Sequence, residues 1–157
     1  MKNVNKAAKI CCIVCAVLML AVLVLQYMPY WSFSTDTSSI ADYLWWPDHH
    51  KALTKELRGI LGRDFEVRLI APMPLIVLLA GILGMIVCVW KPGKVGSFIF
   101  PLIAGATAVI GFLTVPAFSL GSTYIVQIVV SALLIITAIS GGIFSIMNMR
   151  TKRALAQ

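Results

Sequence analysis

The chain has 157 residues, of which 60% are hydrophobic and only 12% charged, with a mean hydropathy of +0.94 and a formal net charge of +7. So little polar surface cannot close a water-soluble globule, and the basic excess, scattered over three short groups, does not describe a nucleic-acid-binding face. Long apolar runs instead read as membrane helices, because a hydrocarbon core about 30 Å thick takes roughly twenty residues at 1.5 Å rise.

Four such runs occupy residues 7–28, 72–90, 97–118 and 123–149, and none contains an acid. Backbone groups in lipid must be satisfied within their own segment, which leaves helices, and the runs lack the alternation that a barrel needs. The expectation is an all-α membrane protein of one domain: a four-transmembrane-helix antiparallel bundle with a small extracytoplasmic α/β loop region at residues 30–71, between helices one and two.

Helix one begins basic, with Lys2, Lys6 and Lys9, and carries Cys11, Cys12 and Cys15 in its first half. It ends in Tyr27, Tyr30 and Trp31, suited to the headgroup level, and Pro29 helps to stop it. The residues that follow are bulky, with no small-x-small site, so the run reads as an uncleaved anchor and not as a signal peptide.

In the loop, Trp31, Phe33 and Thr35 alternate with Ser32 and Ser34, and Phe65, Val67 and Leu69 alternate with Asp64, Glu66 and Arg68. Period-two alternation predicts two strands, paired with each other because one leaves helix one while the other enters helix two. Between them residues 47–61 predict a helix, with Pro47 in the first turn, Gly62 as a stop and Leu53, Leu57, Ile60 and Leu61 as the apolar stripe. Trp45 and Trp46 fall at its boundary.

Helix two starts at Pro72 and Pro74 and ends at Trp90 and Cys88. The turn Lys91-Pro92-Gly93-Lys94 is short enough to make helices two and three antiparallel neighbours. In helix three, Pro101 predicts a mild kink and Pro116 a stop; helix four is the longest uncharged run. Small residues four apart, Ala80 and Gly84, Ala104 and Ala108, Ala138 and Gly142, predict close helix approach, either within the chain or in a homo-oligomer.

All six acids lie between Asp36 and Glu66, whereas Lys2, Lys6, Lys9, Lys91, Lys94, Arg150, Lys152 and Arg153 lie in segments without an acid. The positive-inside rule then puts both termini and the Lys91–Lys94 turn in the cytoplasm, in the plasma membrane.

Chemistry is sparse. Cys11, Cys12, Cys15 and Cys88 share the cytoplasmic side, where thiol or metal chemistry is one reading and small apolar packing the favoured one. His49 and His50 point about 100° apart on a helix and do not share an ion readily. No nucleophile-and-base frame, Walker motif or dinucleotide motif is present, so neither catalysis nor a cofactor is expected. The polar groups deep in the spans, Thr107, Thr114, Gln127, Ser131, Thr137 and Ser140, are neutral and suit helix–helix bonding better than an ion relay.

A long outer loop after helix one and short later connectors resemble the four-pass layout of claudin-type proteins. The resemblance is of architecture alone: Trp31, Trp45 and Trp46 are present, but not the Gly-Leu-Trp motif or paired loop cysteines. The reading is a small non-enzymatic membrane protein, an interaction or assembly subunit. Its partners are the lipid bilayer and a protein at Trp31, Trp45, Trp46, His49 and His50. An oligomeric transporter or channel is the alternative.

Overall fold

The computed structural model describes residues 2–26, 29–33, 36–39, 72–114 and 122–154. Four helices account for most of them: α1 (Lys2–Leu25), α2 (Pro72–Trp90), α3 (Ile99–Thr114) and α4 (Ser122–Ala154). A 3-10 turn, Val95–Phe98, precedes α3, and two short strands, β1 (Pro29–Phe33) and β2 (Asp36–Ser39), follow α1.

α1, α2 and α4 are long and apolar enough to cross a membrane; the stretch Val95–Ile110 is a shorter apolar helix. The helices pack in a ring, α1 on α2, α2 on α3, α3 on α4 and α4 on α1, with α1 and α3 closer across the diagonal than α2 and α4. Asn148 Nδ2 donates to Asn5 Oδ1 at 3.3 Å, and Gln127 Nε2 donates to the Leu25 carbonyl oxygen. Start of α1 against end of α4, and end of α1 against start of α4, make that pair antiparallel. The first residues of α1, the 91–94 turn and the last turns of α4 therefore share one end of the bundle, called here the terminal end.

Side chains separate by face. Met19, Val22, Val77, Phe98, Ala104, Leu134 and Ala138 are buried between helices, while Ile13, Val17, Leu79, Ile110, Ile125, Ile136 and Ile143 are exposed on the perimeter. An exterior as apolar as its core is what a lipid solvent permits and water does not.

Several boundaries differ from the sequence expectation. α1 starts one turn earlier and stops at Leu25, not at residue 28. The chain is already in a strand at Pro29, which has no N–H to continue the helix. The third helix, expected from residue 97, is 3-10 up to Phe98 and α-helical from Ile99 to Thr114; its expected end at 115–118 lies outside the described residues. Pro101 sits in its first turn, where a missing N–H matters least, and the chain changes from 3-10 to α there. α4 runs five residues past the expected end at 149, taking Arg150, Lys152 and Arg153 into helix. Lys152 and Arg153 occupy its last turn, where cations offset the negative pole of the dipole.

β1 pairs antiparallel with β2, Phe33 opposite Asp36 and Pro29 opposite Ser39, a pairing that the sequence pattern did not suggest. A partner two residues along the chain costs little loop-closure entropy. The expected helix at 47–61 and the segment 64–69 lie outside the described residues.

Candidate functional site

The densest polar arrangement among the described residues surrounds the 91–94 turn at the terminal end. Gly93 turns the chain with φ of 82°, a left-handed conformation open to glycine and strained for other residues. Its N–H donates to Cys12 Sγ on α1 at 3.1 Å, and its carbonyl accepts from Ser145 Oγ on α4 at 2.8 Å. Ser97 Oγ donates to the Lys91 carbonyl, closing the turn on itself.

Pro101 explains one further bond. In a continuous α-helix the N–H of residue 101 would bond the carbonyl of Ser97; proline has none to offer. The Cys88 thiol, from the last turn of α2, donates to that carbonyl at 3.3 Å. Two of the four cysteines thus act as hydrogen-bonding groups that join α1 and α2 to the turn. Cys12 and Cys88 stand side by side, next to Ser97.

All four cysteines are free; Cys12, Cys15 and Cys88 are buried and Cys11 is half-buried. They gather toward one end, in line with the sequence argument, but among the described residues no three His, Cys, Asp or Glu side chains are placed to hold one metal ion.

The small residues mark where helices approach. Ala80, Ala104, Ala108 and Ala138 are buried within the single chain. A Cβ placed on Gly84 would lie 2.6 Å from Met19 Sδ and 3.2 Å from Phe100 Cβ. Gly142, paired with Ala138 in the sequence reading, has nothing within 4 Å of such a Cβ; its neighbour Gly141 receives the Phe98 ring instead. Gly105, not singled out from sequence, lies against Ile135 and the Ser131 carbonyl.

At the other end Gln127 is buried, and its amide group occupies the carbonyl of Leu25, the last residue of α1, which no intrahelical partner can reach. Gln127 Oε1 and Ser131 Oγ are buried without a partner. Thr137 Oγ1 bonds back to the Leu133 carbonyl at 2.7 Å, as expected of a hydroxyl within a membrane helix. The charged side chains whose burial the structure describes, Lys6, Lys9, Lys91, Lys94, Arg150, Lys152 and Arg153, are all exposed.

Of the proposed loop contacts, Trp31 lies in β1, and Trp45, Trp46, His49 and His50 lie outside the described residues. Sequence reasoning missed Ser97, Ser145, Asn5, Asn148 and Gly141. A serine or asparagine in an apolar run was the available signal for the polar four; nothing in the run separated Gly141 from Gly142.

The chain matches no protein-family model, no curated protein and no solved structure.

Proposed function

We propose that the chain is a non-enzymatic four-pass protein of the plasma membrane, with both termini in the cytoplasm and a bundle that anchors the outer loop. The loop, residues 30–71, is the part that contacts a protein partner. One observation carries this reading: apolar side chains cover the bundle perimeter, while the buried polar side chains described are neutral, and several of them bond the 91–94 turn or the end of a neighbouring helix. Ionisable groups are expensive in a membrane interior and usually mark a transport or proton path, and the described core has none of the charged kinds. The short helix α3 is compatible with a fourth crossing, its sixteen residues spanning about 24 Å before Pro116.

Sidedness and partner are tested together. Cysteines introduced one at a time at Lys94, Lys152 and Asp48, in a chain with its four native cysteines replaced, are labelled with an impermeant maleimide on intact cells. Asp48→Cys is expected to react from outside, and Lys94→Cys and Lys152→Cys only after lysis. A photo-cross-linking residue at Trp45 or Trp46 then captures a protein partner in the same cells. Reaction of Lys94→Cys from outside refutes the orientation, and the absence of any cross-linked protein across the loop refutes the interaction role.

A further inference from the structure

We propose that the terminal end of the bundle is a binding site for the phosphate groups of anionic phospholipids, centred on Lys9, Lys91 and Lys94. The proposal rests on the membrane reading above and adds a lipid class and a place.

In sequence the cations are scattered; the fold collects them. A Cβ on Gly93 would lie 3.4 Å from Lys9 Cγ, so the α1 lysine stands directly beside the 91–94 turn. Lys6, Lys9, Lys91, Lys94, Arg150, Lys152 and Arg153 are all exposed at this end. Among the described residues no acid shares it. Two helices begin and two end here, so their dipoles largely offset and the positive potential comes from the side-chain cations.

Depth selects the partner. Lys9 lies within the apolar span Val4–Leu25, and Lys91 follows Trp90, which is 81% exposed at the end of α2 as an interfacial indole would be. The bond from Ser145 to Gly93 places Ser145 level with the turn. At 1.5 Å per residue, Lys6 stands about 4.5 Å beyond Lys9, and Arg150 about 7.5 Å beyond Ser145. Lys152 and Arg153 stand about 10–12 Å beyond Ser145. The polar zone of each leaflet is about 5–8 Å deep. Lys9, Lys91 and Lys94 are therefore at the level of lipid phosphates, whereas Lys152 and Arg153 project into water and already serve the α4 terminus. A soluble polyanion would meet the outer cations first; a lipid meets the inner ones.

The test uses the full chain, stripped of native lipid in mild detergent and offered equal amounts of phosphatidylglycerol and phosphatidylcholine. Retained lipid is counted by native mass spectrometry. The expected result is about tenfold enrichment of the anionic lipid at low salt, largely lost in about 0.5 M NaCl. The triple variant Lys9→Gln, Lys91→Gln, Lys94→Gln should lower the enrichment about fivefold or more, and Lys152→Gln, Arg153→Gln should keep it within about twofold. Unchanged thermal melts in both variants exclude misfolding as the cause. No enrichment, equal losses in the two variants, or tight binding of a short single-stranded oligonucleotide that depends on Lys152 and Arg153 would each overturn the site. A chain that alkali strips from membranes breaks the membrane reading itself; an inserted chain indifferent to lipid charge breaks only this proposal.

Discussion

The two ends of the bundle solve the same problem differently. Each must satisfy backbone groups that helices leave unbonded when they stop in or near lipid. At the terminal end a four-residue turn is closed by Ser97 and tied to α1 and α4 through Cys12 and Ser145, while Cys88 takes the carbonyl that Pro101 leaves free. At the other end, among the described residues, the Gln127 side chain reaches the last carbonyl of α1, while its own Oε1 and the Ser131 hydroxyl have no partner. Among the described residues the terminal end is thus held by several mutually dependent bonds to one turn, and the opposite end shows one such bond.

That contrast yields graded outcomes, each read as a shift in unfolding free energy in detergent. The largest concerns Gly141. Gly141→Ala drives a methyl into the Phe98 ring and should destabilise by about 1–3 kcal/mol, whereas Gly142→Ala meets open space and should stabilise by up to about 1 kcal/mol. Equal effects at these adjacent positions would mean that Phe98 does not pack on α4. Next is Gly93→Ala, which forces a side chain to adopt φ near 82° and should cost about 1–2 kcal/mol. A neutral outcome would show that the turn is not held left-handed. At the opposite end Gln127→Leu orphans the Leu25 carbonyl but also removes the unpartnered Oε1, so a loss of only about 1 kcal/mol is expected. Smallest is Ser131→Ala: deleting a hydroxyl without a partner should change stability by less than about 0.5 kcal/mol, or raise it. A substantial loss there would reverse the ranking of the two ends.

The apolar runs were readable in advance because their length is set by the bilayer and not by any particular neighbour. The three long helices follow from them almost directly, and the ends shift only where proline or a charged extension intervenes, as at Leu25, Pro101 and Ala154. Contacts were less readable. Adjacent helical residues point about 100° apart, so choosing Gly142 over Gly141 needs the position of Phe98, which no spacing on α4 contains. The cysteines show the same limit: their common end followed from topology, but the bonds of Cys12 to Gly93 and Cys88 to Ser97 depend on how the turn folds back. The pairing of β1 with Asp36–Ser39 was not legible either, because Asp36 to Ser39 lacks apolar alternation and forms a strand through its nearness to β1, where loop closure costs little entropy.

α4 continues unbroken from the level of Ser145 to Ala154, a projection of about 14 Å. With Asn5 joined to Asn148 on its flank, this projection is a stiff lever and not a tether. A spin label attached at Lys152 should therefore report the tilt of the whole bundle, and a force applied there should reach the Gly93 turn without first uncoiling a linker.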